Sequence, residues 1–279
     1  MRISVLMSLF SKERPDYFDL SMKSVWNDQT RKPDEIVLVE DGPVTTELES
    51  IVNKWQQKIP VMKVVKLEKN QGLPVALNEG IKQCNCDYIA RMDTDDIALP
   101  DRFKIQEEYL NIHPELAVLG GGVIEFNDEE GDMEPRIMPS TLKEIKAAIP
   151  KSCPFIHPAV FIKKSVFDNG IEYNPKSRKY QDLELWFNIL SAGYEVANID
   201  DLLIKFRKGS DTYVKRNKAA KAELMIVLRG IRKLYGLCTW RYIYPLLHYL
   251  FRLLPPKVCL FVYKHFIVYY WKNKNSKKH

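Results

Sequence analysis

The sequence predicts an α/β protein in which a mostly parallel sheet is flanked by helices, followed by a helical C-terminal region rich in basic and aromatic residues. Two observations predict this fold class. Short apolar runs alternate with helical patterns over the first hundred residues, which is typical of β-α-β units with right-handed crossovers. The composition then changes near Lys205, where basic and aromatic residues accumulate. We therefore predict one α/β domain over residues 1–215 and a helical region over residues 216–279.

The elements of the first part follow one another in a regular order. The apolar run that begins at Ile3 leads into the charged segment Ser11–Arg14 and lacks a small-residue cleavage site, so we predict a strand there and not a signal peptide. In chain order we predict strands at 3–9, 35–39, 62–67 and 88–92, and helices at 17–27, 46–58 and 73–82.

The middle of the chain has a mixed pattern. The acidic segment Asn127–Glu134 contains Gly131 and predicts a solvent-exposed turn that takes no part in chemistry. Lys218–Tyr235 places apolar residues at helical spacing, which predicts a helix packed on one side. The remaining predicted elements are strands at 118–126 and 159–163 and helices at 141–148 and 182–190.

The charge is distributed unevenly along the chain. The net charge is +6, but residues 202–279 hold 18 Lys and Arg against two acids, a local charge of +16, which leaves −10 for residues 1–201. An acidic body with a basic tail is typical of a protein that holds a cation and binds an anionic surface. The five cysteines are odd in number and scattered, which indicates reduced thiols rather than a zinc site.

The C-terminal region carries aromatic residues from Trp240 to Trp271 and is interrupted by Pro255-Pro256. Its longest charge-free run, Tyr242–Phe251, is far shorter than the roughly 20 apolar residues that span a bilayer. Basic stripes opposite apolar faces predict helices that lie in a membrane interface. The alternative is that these helices pack on the α/β domain or on a second subunit. The stripes are Arg241, His248 and Arg252, and then Lys257, Lys264 and Lys272.

Two acidic clusters follow predicted strands, Glu40-Asp41 and Asp93-Thr94-Asp95-Asp96. Ligands of open α/β sheets bind beyond the carboxyl ends of the strands, so these clusters predict the position of a binding site. Asp93 and Asp95 are two residues apart and share a face. Mg²⁺ and Mn²⁺ take carboxylate oxygens together with nucleotide phosphates, and such a metal stabilises a departing diphosphate.

Several segments resemble the family 2 inverting glycosyltransferases. They occur in the family's order and spacing over about residues 3–210. The resemblance implies a GT-A-type, Rossmann-like fold that binds a nucleoside-diphosphate sugar, with uridine diphosphate as the carrier. The segments are 4–8, 39–42, 70–81 and 88–102 with Gln106.

The resemblance also implies roles for individual residues. Asp41 contacts the base, and Ser8 belongs to the same nucleotide-binding group. Asn70 and Gly72 belong to a loop that closes over the nucleotide, although the same residues also fit an ordinary turn before a helix. Asp95 is the metal ligand and Asp93 faces the ribose or the metal. Arg91 either pairs with the acidic cluster or approaches the sugar.

The segment Gln181–Trp186 resembles the family's Glu-Asp-x-x-Leu-Trp sequence, which supplies the catalytic base. Asp182 matches the base, and Glu184 is the less favoured carboxylate. Gln181 departs from the family's glutamate, which removes a negative charge next to the base. Asp182 also fits a helix N-cap, which is compatible with the catalytic role.

Two further segments remain open. His157 contacts the diphosphate or an acceptor phosphate, or is a structural turn residue between prolines. The segment Phe206–Ser210 resembles the flexible loop after the base but lacks the family's histidine, which leaves a third protein metal ligand unassigned. Arg207 or Lys208 is then the candidate for stabilising the phosphates.

Three functions are compatible with these patterns. The favoured one is transfer of a single sugar to a lipid-linked saccharide at the inner face of the cell membrane, in cell-surface polysaccharide synthesis. The second is a sugar nucleotidyltransferase, but Met7–Ser11 lacks the glycines of a triphosphate loop. The third is a non-catalytic module that uses the basic tail to bind membrane or nucleic acid. Interleaved aromatic and aliphatic residues favour the membrane over nucleic acid.

Overall fold

A computed structural model describes residues 1–208 and 219–253. Its strands are β1 (Ile3–Leu9), β2 (Glu35–Glu40), β3 (Met62–Lys66), β4 (Tyr88–Arg91), β5 (Ile97–Ala98), β6 (Leu116–Asn127), β7 (Gly131–Arg136), β8 (Phe161–Lys163) and β9 (Glu195–Arg207). Its helices are α1 (Pro15–Trp26), α2 (Thr46–Lys58), α3 (Leu73–Gln83), α4 (Arg102–Ile112), α5 (Leu142–Ala148), α6 (Lys164–Asp168), α7 (Gln181–Ser191), α8 (Ala220–Tyr235) and α9 (Ile243–Arg252). Short 3₁₀ turns lie at His157–Ala159 and Trp240–Tyr242.

Within the described residues the nine strands form one sheet in the order β3-β2-β1-β4-β8-β6-β9-β5, with β7 paired to β6. The first four strands of this order are parallel. β2 is buried along its whole length and β1 along nearly all of it, as expected for parallel strands covered by helices on both faces. Their carboxyl ends therefore lie along one edge, which confirms the predicted arrangement.

The second half of the sheet is mixed. β8 runs antiparallel to β4 and β6, whereas β9 is parallel to β6. β8 begins at Phe161, two residues later than predicted, because a 3₁₀ turn that contains Pro158 precedes it. The predicted exposed turn at Asn127–Glu134 is too long, since residues from Gly131 onward pair with β6 as β7.

Helix boundaries follow local capping chemistry. Thr45 Oγ1 accepts a hydrogen bond of 3.3 Å from the amide of Leu48 and thereby caps α2, whose bounds match the prediction. Thr141 and Glu144 form a reciprocal capping box at the start of α5. These caps satisfy backbone amides at the starts of α2 and α5.

Helix α8 packs directly on α7 and shares its core. Its buried residues Ile226, Val227 and Ile231 belong to the same apolar cluster as those of α7. The contact is close at Gly230, where an added Cβ would lie 2.2 Å from the ring of Phe187. The boundary predicted at residue 215 lies outside the described residues, so the division into two regions stays a prediction.

Helix α9 presents its apolar side outward. Its exposed face contains Ile243 at 53%, Leu247 at 58% and Leu250 at 58% exposure. Arg252, which belongs to the predicted basic stripe, is largely buried and pairs with Glu223 of α8. Within the residues that the structure describes, each helix is too short or too polar to span a bilayer. The predictions for Lys257, Lys264, Lys272 and the rest of 254–279 lie outside the described residues.

Candidate active site

The carboxyl ends of β2, β1 and β4 bring the first predicted site residues to one edge. The amide of Asp41 donates a 2.7 Å hydrogen bond to the carbonyl of Leu9, at the end of β1. The hydroxyl of Thr94 lies 3.5 Å from the carbonyl oxygen of Ser8. Ser8 therefore lies between Asp41 and the acidic turn that starts at Asp93.

Asp41 joins two loops. Its buried carboxylate accepts hydrogen bonds from the amides of Gln71, at 2.7 Å, and Gly72, at 2.9 Å. The side chain of Asn70 donates in return to the Asp41 carbonyl at 3.2 Å. The structure thus brings together Asp41, Asn70 and Gly72, three of the residues predicted to bind the nucleotide.

The approach of these loops depends on Gly42. Its φ is +84°, and an added Cβ would lie 2.4 Å from the backbone nitrogen of Asn70. A side chain at this position would therefore meet both a left-handed backbone and a steric clash. This glycine explains why the sequence Asp41-Gly42 follows β2.

Three carboxylates form the centre of the site. Asp93, Asp95 and Asp96 each offer one oxygen, and these oxygens lie within 4.8 Å of one another. Burial raises the pKa of Asp95 to about 7, and the nearby charges of Asp93 and Glu13 add to this rise. Burial followed by the charges of Asp93 and Asp95 also raises the pKa of Asp96. The negative charges of the three carboxylates are therefore not fully neutralised by neighbouring groups.

The donor set fits a hard divalent cation. Its ligands are carboxylate oxygens, which Mg²⁺ and Mn²⁺ prefer. The buried Oδ2 atom of Asp96 has no hydrogen-bond partner among the described residues, so a polar atom at this centre is unsatisfied. Asp93 and Asp95 are the predicted ligands, and the structure adds Asp96 to them.

Arg207 holds the acidic turn from the end of β9. Its Nε donates to the carbonyl of Asp95 at 2.9 Å and its amide donates to the carboxylate of Asp96 at 2.7 Å. The guanidinium also pairs with Asp128 and lies 3.6 Å from the ring centroid of Tyr17.

The predicted contact of Arg207 with phosphate stays a prediction. Asp128, in the segment predicted to be a solvent-exposed turn, is 50% exposed and contacts the site through Arg207 and Tyr17. Of the loop predicted after Arg207, Gly209 and Ser210 lie outside the described residues.

Asp182 lies at the second position of α7 and is partly accessible. It is not the N-cap, because that position belongs to Tyr180, whose backbone is left-handed. Burial raises the pKa of the Asp182 carboxyl, and the positive charge of Arg91 opposes the rise. The Cys153 sulfur lies 3.7 Å from an Asp182 oxygen and donates to it.

Arg91 connects the base candidate with the acidic turn. Its side chain is 3% exposed and pairs with Asp93, and its charge also acts on Asp182. Two of its nitrogens, Nε and Nη1, are buried and have no hydrogen-bond partner in the described part of the chain. The structure shows the pairing of Arg91 with Asp93 of the acidic cluster, and an approach of Arg91 to the sugar stays a prediction.

His157 is buried and packs against the aromatic rings of Tyr173 and Trp186. Its Nε2 lies 2.7 Å from the hydroxyl of Tyr173, and its ring meets the ring of Trp186 edge-on. Burial, together with the charge of Arg91, lowers its pKa well below the ordinary value. The imidazole is therefore neutral, as expected for a structural residue.

Sequence patterns did not point to Glu13, Tyr17 or Asp128. Thr94 donates a 2.6 Å hydrogen bond to Glu13, and Tyr17 donates to Asp128. These residues come from a loop, a helix and a hairpin that are distant from the acidic turn in sequence, and they carry no motif. Only the fold brings them together.

Comparisons with known proteins agree with this geometry. The model of the glycosyl transferase family 2 matches residues 4–170. The chain is 38% identical over 264 residues to the amylovoran biosynthesis glycosyltransferase AmsE of Erwinia amylovora, across 94% of this chain and 97% of that protein. It is 34% identical over 220 residues to a UDP-Gal:alpha-D-GlcNAc-diphosphoundecaprenol beta-1,3-galactosyltransferase of Escherichia coli, across 77% of each.

A solved structure with the same fold is the mannosyltransferase PcManGT of Pyrobaculum calidifontis, in complex with GDP-Man and Mn²⁺. The TM-score is 0.64 at 14% identity, and the match covers 89% of this chain and 68% of that one. This likeness confirms the predicted GT-A-type fold. The acidic edge, the order of the strands and the extent of the sequence match lead to one conclusion: the chain belongs to glycosyl transferase family 2.

Proposed function

We propose that the protein transfers a single sugar, with inversion, from a UDP-sugar to a lipid-linked saccharide in the synthesis of a cell-surface polysaccharide. The observation that carries this proposal is the acidic cluster Asp93-Asp95-Asp96 on the sheet edge that also holds Asp41. Family membership favours this reaction over a nucleotidyltransferase or a non-catalytic module. Two of the relatives act in amylovoran biosynthesis and on a diphosphoundecaprenol-linked sugar, by name.

The donor binds along the edge formed by Ser8, Asp41 and the loop of Asn70 and Gly72. A carboxylate has about four lone-pair sites, so Asp41 can accept a ring N–H of the base while it keeps its two loop contacts. Gly72 has φ +92°, and among residues 1–208 and 219–253 only Pro74 lies near an added Cβ, which leaves room for the nucleotide to approach the backbone.

Asp95 and Asp93 would hold the divalent cation. When bound, Mn²⁺ or Mg²⁺ supplies positive charge that stabilises the departing diphosphate. Arg207 fixes the Asp95 backbone through its Nε contact, and the pairing of Arg91 with Asp93 fixes the orientation of that carboxylate.

Asp182 acts as the general base. It accepts the proton of the acceptor hydroxyl as the oxygen attacks the anomeric carbon from the face opposite the diphosphate, which inverts the configuration. Such a base contributes about 10²- to 10⁴-fold to the rate. The charge of Arg91 favours the ionised carboxylate, while partial burial keeps it basic enough to accept a proton.

The protein acts at the inner face of the cell membrane as a peripheral protein. The acceptor is lipid-linked by this proposal, so its sugar is presented at a bilayer surface. Residues 202–279 carry a charge of +16, which attracts an anionic leaflet. The exposed apolar face of α9 supplies the surface that enters the interface.

A thermal-shift panel of nucleotide-sugars, with and without Mn²⁺, tests the donor and the cation together. We expect the largest rise in Tm for a UDP-sugar in the presence of Mn²⁺, because ligands that bind only the native state stabilise it. The responding sugar is then assayed for transfer to a lipid-diphosphate-linked saccharide. Stabilisation by a GDP-sugar alone would contradict the UDP assignment, and transfer to free sugar but not to the lipid-linked one would contradict the acceptor.

A further inference from the structure

Tyr180 precedes α7 and stands two residues before Asp182. Its backbone angles are φ 57° and ψ 28°, in the left-handed region. Among the described residues it is the single non-glycine residue with positive φ. A bulky side chain is strained in this conformation, and such strain persists only where the surroundings hold it. Tyr180 is therefore held in this conformation by contacts with other parts of the chain.

These contacts come from the C-terminal helices. Arg252 of α9 donates through Nη1 to the Tyr180 hydroxyl at 3.1 Å. Arg252 also pairs with Glu223 of α8, and the two side chains are only 13% and 16% exposed. Such a shielded pair is screened less by solvent than a surface pair. The hydroxyl of Tyr180 is thus anchored by a pair that spans two helices.

The other end of Tyr180 fixes the start of α7. Its carbonyl oxygen accepts a hydrogen bond of 3.1 Å from the amide of Glu184, which closes the first turn around Asp182. The backbone angles of residue 180 therefore set the direction in which this turn leaves the preceding loop. A relaxation of residue 180 toward ordinary angles would turn the Asp182 carboxylate away from its position beside the Cys153 sulfur.

We propose that Tyr180 is a positioning residue for Asp182, and that Arg252 and Glu223 hold it in its left-handed conformation. The C-terminal helices then act on the reaction as well as on the surface that faces the membrane. This inference rests on the proposed role of Asp182 as the base. It assigns to Arg252 an internal function in place of the lipid contact expected from the basic stripe.

Hydrogen exchange tests the positioning without any substrate. In Tyr180→Phe we expect exchange of the backbone amides over 181–184 to rise by about 2- to 10-fold, since one hydrogen bond to the anchor is lost. Tyr194→Phe is the matched control, because its hydroxyl accepts an exposed hydrogen bond of 2.9 Å from Asn169, at the far end of α7. The control should leave the exchange over 181–184 unchanged.

Steady-state kinetics test whether the contact between Arg252 and Tyr180 affects turnover. Tyr180→Phe should lower kcat by about 10- to 100-fold through misplacement of the base, with KM for the donor and the Kd for the nucleotide unchanged. Arg252→Met should have the same effect, whereas Arg252→Lys, which keeps the ion pair, should recover part of the rate. The double variant Tyr180→Phe/Arg252→Met should lose less rate than the sum of the two single effects, because each single variant already removes the hydrogen bond between Arg252 and Tyr180.

The outcomes separate this inference from the proposed function. Unchanged exchange over 181–184 in Tyr180→Phe overturns the positioning role, whether or not the chain transfers sugar. An unchanged kcat overturns it as well, and so does an equal loss of nucleotide affinity and turnover, which would indicate a general structural defect. Failure of the parent protein to use any nucleotide-sugar contradicts the proposed function, and the exchange result still decides whether Arg252 holds Tyr180.

Discussion

The Nε atom of Arg207 donates a 2.9 Å hydrogen bond to the backbone carbonyl of Asp95, so the last residue of β9 fixes the turn that carries the proposed metal ligand. The guanidinium lies between the rings of Tyr17 and Phe126. It is 8% exposed, and its remaining edge meets Asp128. This arrangement defines a role for Arg207 that can be separated from phosphate binding.

Arg207→Lys should weaken Mn²⁺ binding by about 10-fold, the lower end of the range for residues that orient metal ligands. Lysine keeps the charge but cannot reproduce the Nε contact or the stacking between two rings. Calorimetry with Mn²⁺ alone measures this effect. Lys205→Gln on the same strand is the control, since Lys205 pairs with Asp132. A loss of nucleotide affinity in the absence of metal, with Mn²⁺ binding intact, would support phosphate contact instead.

Asp95→Asn should abolish metal-dependent transfer and raise the stability of the metal-free protein at pH 8. The folded pKa of Asp95 is raised to about 7, so the folded state binds this proton more tightly than the unfolded chain. Its contribution to stability is therefore lost as the pH rises from about 4 to about 7. Tm measured across this range should fall in the parent relative to Asp95→Asn.

Asp168→Asn is the control for that experiment, because Asp168 lies on α6 and pairs with Lys164 at the surface. It should leave both the transfer rate and the pH dependence as in the parent. Retention of metal-dependent transfer in Asp95→Asn would remove this residue from the metal site.

Asp182→Asn should keep nucleotide binding and lose turnover by at least about 10²-fold. Catalysis needs the ionised carboxylate, so kcat of the parent should fall as the pH drops through the pKa of Asp182. Burial raises that pKa, which places the acidic limb above the range of an ordinary aspartate. Glu184→Gln, two residues further along α7, should keep kcat. An identical pH profile in a slow Asp182→Asn variant would assign the limb to another group.

Gly42→Ala and Gly131→Ala form a matched pair for the nucleotide loop. Both positions have positive φ, at +84° and +74°, but an added Cβ meets the Asn70 backbone only at Gly42. The left-handed backbone alone costs about 1 to 2 kcal/mol, so Gly131→Ala should lose that amount in unfolding free energy and bind nucleotide normally. Gly42→Ala should lose more stability and bind nucleotide at least about 10-fold more weakly, since loop positioning is disturbed. Equal behaviour of the two variants would argue against the close approach.

Leu247→Glu/Leu250→Glu should release the protein from anionic vesicles in a flotation assay. Both side chains are exposed on α9, and charged groups are excluded from the apolar part of the interface. Ile112→Glu, exposed at 75% at the end of α4, is the control and should float like the parent. Flotation of the double variant would show that α9 is not the anchor. Substitution is preferred to truncation before Trp240, which would also remove Arg252.

The parallel half of the fold and the acidic edge could be predicted because their signals are local. The apolar strands, the acidic run that begins at Asp93 and Asp41-Gly42 after β2 are each visible in a few consecutive residues. β9 escaped prediction because Asp200 and Asp201 interrupt its apolar pattern, and its neighbour β6 lies far away in sequence. The part of the site formed by Glu13, Tyr17 and Asp128 was missed for the same reason, since tertiary contacts alone bring these side chains to the acidic turn.

The close contact between Gly230 and Phe187 constrains how these helices can be exchanged among relatives. A chimaera that takes its last two helices from another glycosyltransferase must bring a small residue opposite Phe187, or a smaller ring at 187 itself. The C-terminal helices therefore have to be exchanged together with α7, and a swap meant to change membrane affinity would reach the proposed base.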